Sequence, residues 1–213
     1  MDHKKKTLLL GDYTHPDFHP LQGVDAEISH ILSDWSTVSC SENRKMLLLE
    51  NLGAFDLCIS YLDEWREPVS PRQTAGLLSY VSSGGGLVVM HNAISMQNRY
   101  EIAQMIGAKF KGHPPYAPLD FTVKEPDHPV MEGIEAFTLE EEPYRFEFEL
   151  FGERTILMEY RDEEGTFPAA WAQSYGLGRV VYLMPGHHVA SFQHPAVRRL
   201  LLQAARWAGR FPG

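Results

Sequence analysis

Short apolar runs alternate with segments of helical periodicity over the first half of the chain. The runs end abruptly in polar residues, whereas the segments between them space apolar side chains three and four positions apart. The predicted strands are 7–11, 36–40, 55–62 and 87–91, and the predicted helices are 24–35, 46–52, a segment from Pro71 to the glycines at 84–86, and 100–106. Strands that are apolar on both faces and alternate with helices predict a parallel sheet covered on both sides.

The second half departs from this rhythm. The stretch 111–154 contains six prolines and predicts irregular loops with short strands such as Asp120–Lys124. Regular runs resume at 155–160, 169–173 and 179–184, with a hairpin-like turn at 175–178, and Pro195–Trp207 predicts a closing helix. We therefore expect one domain over 1–213, with 111–154 as an irregular insertion.

Composition narrows the class of protein. Hydrophobic residues make up 44% and charged residues 22% of 213 residues, which is ordinary globular usage and excludes a disordered or fibrous chain. A net charge of −9 disfavours nucleic acid and anionic membrane as partners, and no apolar run approaches the length of a membrane span. Two cysteines predict neither a disulfide framework nor a CxxC metal pair, and fit a cytoplasmic location.

Polar residues follow the predicted strands where ligands bind in parallel sheets, beyond the carboxyl ends of the strands. Histidine occurs at three of these strand ends, and imidazole serves both as an acid or base near neutral pH and as a metal ligand. The residues concerned are Asp12, His15 and His19 after the first run, Asp63 and Glu64 after the third, His91 and Asn92 after the fourth, and His187 and His188 after the last.

The segment GGGLVVMHNA, residues 84–93, is the clearest local motif. It predicts a strand, a sharp turn and a helix, the junction that presents Ser or Cys in nucleophile-elbow enzymes. Here the residue at the turn is His91. Cys58 falls within a predicted strand and Cys40 in a short edge-like segment, so both are interpreted as core residues and a cysteine or serine hydrolase is disfavoured.

The order and spacing of several motifs resemble the ThuA-like (trehalose utilisation) family over nearly the whole chain. The matching stretches are His15-Pro16, NLGAFDLCISY, GGGLVVMHNA, GAKFKGHP, DHPVMEGI, EEPYRF, PAAW, YGLGRVVYLMPGHH and HPAVRRLLLQAARWA. The resemblance implies a flavodoxin-like α/β three-layer sandwich with a mainly parallel sheet, similar to class I glutamine amidotransferases. It also implies that His91 replaces the amidotransferase cysteine, and that the protein has a role in carbohydrate metabolism.

The resemblance also implies a set of recurring polar residues, with two departures from the family's pattern. The position after His187, usually acidic in the family, is His188, and the acid pair Glu141-Glu142 is followed by Pro143. Carried over by position, the recurring residues are His15, His91, His113, Asp127, His128, Glu142, Tyr144 and His187.

Two functions remain open on this sequence. The first is an enzyme acting on a sugar or oxidised sugar by His/Glu proton transfer, or assisted by a divalent metal ion such as zinc; the second is a non-catalytic ligand-binding or interaction protein. For the first, the catalytic candidates are His91, His187 and Glu142, and the substrate-binding candidates are His113, Tyr144, Asp12 and His15. The expected partner is a small sugar-like molecule, and self-association is left open.

An aromatic alternation has two interpretations. Tyr144, Phe146, Phe148 and Phe151 recur at every second or third position, which is typical of a core or interface strand. A platform that stacks against sugar rings is the other interpretation.

Overall fold

A computed structural model describes residues 4–14, 18–150 and 152–212, and its centre is a nine-stranded sheet. The strands are β1 Lys5–Gly11, β2 Ser36–Ser41, β3 Leu57–Tyr61, β4 Gly86–Met90, β5 Ala108–Gly112, β6 Ala117–Val123, β7 Phe137–Glu141, β8 Arg145–Phe148, β9 Thr155–Asp162, β10 Gly165–Tyr175 and β11 Gly178–Leu183. Strands β5 and β8 form a separate two-stranded antiparallel sheet.

Helices cover both faces of the main sheet. They are α1 Val24–Leu32, α2 Leu49–Leu52, α3 Pro71–Ser82, α4 Tyr100–Ile106, α5 Val189–Gln193 and α6 Pro195–Gly209. Helices α1, α5 and α6 contact one another on one side, and α2, α3 and α4 pack together on the other. This arrangement is the three-layer sandwich. No helix among the described residues combines the length and the apolar character required to cross a membrane.

The order of strands places a crevice at one end of the sheet. The order is β2-β1-β3-β4-β11-β10-β9-β6-β7, and the first five strands run parallel. The chain goes from β1 to β2 on one side and then to β3 on the other, so the connections reverse direction at β1. Ligands bind at such switch points, beyond the carboxyl ends of the strands.

The local sequence explains where α3 begins and why β3 and β4 are buried. Ser70 caps α3 by accepting a hydrogen bond from the Gln73 backbone, and Pro71 occupies the first turn, where its missing N–H costs nothing. Strands β3 and β4 are buried along their whole length, as expected for parallel strands covered by helices on both faces.

The stretch 111–154 is more regular than expected. It forms β6, β7 and β8, and the first two extend the main sheet as antiparallel strands beyond β9. Its prolines lie largely in connections, and Pro118, which lies within β6, leaves the pairing with β7 intact. The helix α5 is a further element that sequence periodicity did not predict, because it has only five residues. The single domain over 1–213 stays a prediction.

We expect Leu200→Ala to lower the free energy of unfolding by about 2–5 kcal/mol. Leu200 lies on α6 and is completely buried against the sheet, so truncation leaves a cavity. Leu177→Ala, the same change at a side chain that is 71% exposed, is the control and should change stability by less than about 0.5 kcal/mol. Urea denaturation measures both; equal losses would contradict the packing described.

Candidate metal centre

His91 lies immediately after β4, at the start of a 3₁₀ helix spanning His91–Asn98. Its φ is +43°, a left-handed conformation that is uncommon for a residue with a side chain. The backbone thus makes the sharp strand-to-helix turn that the sequence predicts. The imidazole is fully buried, and its Nδ1 lies 2.6 Å from the Met184 carbonyl oxygen.

His187 follows β11 in a tight loop. Gly186 has a φ of +149°, and a Cβ on it would lie 3.2 Å from Phe192 and 3.4 Å from the Cβ of His91, so a side chain here would be both strained and crowded. The Glu141 carboxylate accepts the backbone N–H groups of Gly186 and His187 at 2.9 and 3.2 Å. Burial raises the pKa of Glu141 to about 7, against the opposing effect of these hydrogen bonds. Glu141 therefore positions His187 through its backbone.

His19 comes from the loop after β1 and completes the histidine set. Its φ is +48°, and its Nε2 lies 2.9 Å from His187 Nδ1. Its Nδ1 is buried and has no hydrogen-bond partner among the described residues. Sequence reasoning placed His19 after the first strand but did not select it, because an irregular loop gives no periodicity from which to orient a side chain.

Glu142 lies just beyond the edge strand β7 and brings a carboxylate to the three imidazoles. Its Oε2 lies 3.1 Å from His187 Nδ1, 3.2 Å from His91 Nε2 and 3.7 Å from His19 Nε2. Burial alone would raise the pKa of Glu142, but hydrogen bonds with the neighbouring imidazoles, those of His187 and His19 foremost, outweigh it and lower the pKa far below its usual range. Glu142 is therefore an anion.

Two further candidates contact this cluster. The Tyr144 ring stacks on His91 with centroids 4.3 Å apart, and burial raises the pKa of its phenol well above 10. His113 follows β5, and its Nε2 lies 3.8 Å from Glu142 Oε1. Because His113 Nδ1 lies 2.8 Å from the Pro114 carbonyl oxygen, which only accepts, Nδ1 carries a proton, and Nε2 is the ring nitrogen that faces Glu142.

The four closest side chains form a donor set suited to a divalent cation. His19, His91, Glu142 and His187 each contribute one ligand atom, and these atoms lie within 4.8 Å of one another. Three imidazole nitrogens and one carboxylate oxygen suit zinc and other first-row divalent ions. The arrangement fits a metal centre at the carboxyl end of the sheet. We refer to these four residues as the His19 cluster.

A model of the trehalose utilisation family, ThuA, matches residues 20–208. The chain belongs to the ThuA family. No curated protein sequence matches it.

Solved structures confirm the fold of this ThuA-family protein. A ThuA-like protein from Parabacteroides merdae superposes with a TM-score of 0.81 at 20% identity, covering 97% of this chain and 90% of its own. One from Bacteroides uniformis gives 0.80 at 19% identity, with 98% and 93% covered. A cytoplasmic protein from Salmonella typhimurium gives 0.71 at 12% identity, with 95% and 99% covered. At these identities the likeness shows the α/β architecture.

Three further residues implied by the family resemblance are Asp127, His128 and His15. His128 caps a 3₁₀ turn and packs on Trp207, and Asp127 lies in the exposed turn before it, which agrees with a structural role for this motif. His15 lies outside the described residues. The prediction that His91 and His187 meet at one rim is confirmed, since their ring centroids are 5.4 Å apart.

Asp12 lies at the carboxyl end of β1, but its hydrogen bonds join a neighbouring polar network. Its Oδ1 lies 2.7 Å from Arg44, and Arg44 also binds Glu64 at 2.6 Å. Burial raises the pKa of Glu64 to about 7, against the opposing effect of Arg44. The structure shows Asp12 supporting the neighbouring loops through Arg44. Its predicted contact with substrate stays a prediction.

The aromatic alternation is explained by the core. Tyr144 is buried, and Phe146 and Phe148 pack edge-on against the buried Trp171 with centroids 5.0 Å away. These rings are therefore not an exposed sugar platform, while Phe151 lies outside the described residues.

We expect Gly186→Ala to be more destabilising than Gly84→Ala. Gly84 also has a positive φ, +117°, but the nearest atom to an added Cβ is 4.0 Å away, so it isolates backbone strain of about 1–3 kcal/mol. Gly186→Ala adds a tight contact of 3.2 Å with Phe192, and should lose at least about 1 kcal/mol more. Denaturant unfolding measures the free energy of unfolding of both variants. Equal losses would show that the loop around residue 186 accommodates the added methyl group without cost.

Proposed function

We propose that this protein is a divalent-metal-dependent enzyme of carbohydrate metabolism that acts on a sugar or oxidised sugar. The His19 cluster would hold the ion. The observation that carries this proposal is the convergence of four metal-ligating atoms, from segments that follow four different strands, onto one point. The family supplies the link to carbohydrate.

The spacing of the ligand atoms supports metal binding. Around an ion held tetrahedrally at about 2.0–2.1 Å, ligand atoms lie about 3.3–3.4 Å apart. The distances here are 2.9 Å between His19 and His187, 3.1 Å and 3.2 Å from Glu142 to His187 and His91, and 3.7 Å from Glu142 to His19. The remaining pairs of ligand atoms lie within 4.8 Å, so the side chains would draw together around a bound ion.

The protonation state of His91 also favours binding of a cation at this site. The carbonyl of Met184 can only accept, so His91 Nδ1 carries a proton. Burial lowers the pKa of His91 to about 3, so the ring is neutral and its Nε2 presents a lone pair. That lone pair faces the Glu142 anion at 3.2 Å. Two facing acceptors repel, whereas a metal ion between them satisfies both. The Met184 carbonyl would be the outer partner that fixes the ring.

The pKa values of Glu142 and His91 favour metal binding over proton transfer by these two side chains. A carboxylate with a strongly lowered pKa is a weak base, as is an imidazole with a pKa near 3. Neither is matched to removing a proton at neutral pH. Both are in the forms that metal ligands require, an anionic carboxylate and a neutral imidazole.

The accessible side of the centre indicates where substrate would bind. His91 and His19 form the buried side, whereas the side chains of Glu142 and His187 are 16% and 18% exposed. When bound, a divalent ion would supply Lewis-acid polarisation of a sugar oxygen or a more acidic water. His113, whose side chain is 35% exposed, is the group available for proton transfer, through Nε2. Tyr144 would hold the His91 ring in place by stacking.

The alternative is a non-catalytic ligand-binding protein on the same scaffold. A scaffold alone gives no reason to keep two strained histidines, His19 and His91, at positive φ. Such strain is concentrated at functional sites. The strain supports a functional site, and we favour an enzyme because His113, a group suited to proton transfer, lies 3.8 Å from Glu142. A sugar-like small molecule as partner, self-association and a cytoplasmic location remain expectations.

Metal binding is the first test. We expect the protein, purified without a polyhistidine tag and stripped by chelator, to bind one Zn²⁺ per chain in calorimetry. Glu142→Gln preserves side-chain size but removes the anion, and should weaken binding at least about 100-fold, as should His187→Asn. His30→Asn, on the exposed part of α1, is the control. Unchanged affinity in the Glu142 and His187 variants would refute the assigned ligands.

Turnover is the second test. We expect the Zn²⁺- or Mn²⁺-loaded protein to convert an oxidised disaccharide, trehalose carrying one ring ketone, with loss of activity on chelation and recovery on adding the ion. His113→Gln should lower the rate at least about 100-fold while metal affinity is unchanged. Metal binding with no conversion would favour the non-catalytic alternative.

A further inference from the structure

A cavity of about 880 Å³ lies between α1, α6 and the connection at 133–136 that leads into β7. It shares no lining residue with the His19 cluster. Cavities that bind small molecules commonly measure about 300–1,000 Å³. The volume is therefore sufficient for a small organic ligand at a place separate from the metal centre.

The charge along this cavity is positive, although the whole chain has a net charge of −9. Helix α6 contains three arginines and no acidic residue, and the arginines, Arg198, Arg199 and Arg206, all line the cavity. Glu135 is the one acidic residue among the described residues that line it. Only Arg198 is neutralised, by Glu27 at 2.6 Å. A cavity lined by charges of one sign attracts ligands of the opposite sign.

Arg199 and Arg206 form no ion pair with a carboxylate among the described residues. Arg199 donates its Nε–H to the Glu132 carbonyl oxygen at 2.9 Å, and Arg206 donates to the Gln203 side chain at 3.2 Å. The Nε of Arg206 is buried and has no hydrogen-bond partner within the described part of the chain. A buried donor without an acceptor is costly unless a bound molecule supplies one. Because a guanidinium group has five N–H donors, both arginines retain donors for an anion.

Apolar side chains separate the two guanidinium groups. Arg199 and Arg206 are two helical turns apart on the same face of α6, about 10 Å along its axis. Leu202 lies between them on that face and lines the cavity. Ile134 and Phe137 line it from the connection and from the start of β7. The cavity therefore combines cationic groups with an apolar wall.

We propose that this cavity binds a small organic anion, in which phosphate or carboxylate groups are attached to an apolar body. Arg199 and Arg206 bind the anionic oxygens, since the planar fork of a guanidinium group matches both phosphate and carboxylate. Leu202 and Phe137 contact the apolar body. The site is independent of the metal centre and of the reaction proposed for it.

Calorimetry on the full chain at low ionic strength tests this, with phenyl phosphate, the dicarboxylate adipate, inorganic phosphate and uncharged phenol as probes. We expect phenyl phosphate or adipate to bind at least about 10-fold more tightly than inorganic phosphate and phenol, and the stronger of the two identifies the anionic group. The affinity should be the same with and without added Zn²⁺, which separates this site from the His19 cluster.

Matched substitutions assign the binding to the two arginines. Arg199→Gln and Arg206→Gln should each weaken binding of the organic anion about 10-fold or more. Arg206→Lys keeps the charge but loses the planar fork, and should give an intermediate loss. Arg72→Gln removes one positive charge from an exposed side chain on α3, in the other helical layer, and should leave the affinity unchanged. Circular dichroism checks that each variant is folded.

Four results would overturn the proposal. They are absence of binding of both organic anions, unchanged affinity in both glutamine variants, an equal loss in Arg72→Gln, and binding of inorganic phosphate or phenol as tight as that of the organic anions. The third result would show a general effect of net charge, and the fourth would show that charge and apolar contact are not combined at one site.

Discussion

The site depends on one partly buried charge, the Glu142 carboxylate, which faces three imidazoles. An anion removed from water must be compensated by charge or by hydrogen bonds. His91 cannot donate to it while Met184 occupies its Nδ1 proton and burial keeps the ring neutral. Hydrogen bonds with His187 and His19 supply part of the compensation, and a divalent cation would match the lone pairs that the cluster presents.

The fold maintains this arrangement against local strain. His19 and His91 both adopt positive φ, which costs of order 1–3 kcal/mol each. The strain persists because β4 and the carbonyl of Met184 fix His91, and because Glu141 and Tyr61 hold the loop at Gly186 from both its N–H and its carbonyl group. The rigid sheet thus supports side chains that irregular loops alone would not hold.

Sequence patterns predicted the parallel half of the sheet well, because buried strands and helices of three turns carry clear periodicity. They also placed His91 and His187 at one rim, since both directly follow apolar runs. The position of Glu142 came only from the family resemblance: it depends on β6 and β7 extending the sheet, a non-local pairing that short half-buried strands do not reveal. His19 was located by the sequence but not selected, because its orientation depends on a backbone conformation that no pattern encodes.

The family resemblance implies an acid at the position of His188, and the proposed metal centre has its carboxylate from another segment. Glu142 supplies the carboxylate that faces the His187 ring, and Glu141 accepts the backbone N–H of His187. The His188 ring packs 3.9 Å from that of His187, and burial, followed by the charge of His187, lowers the pKa of His188. A neutral imidazole at this position adds no charge beside the anion, so the donor set remains three histidines and one carboxylate.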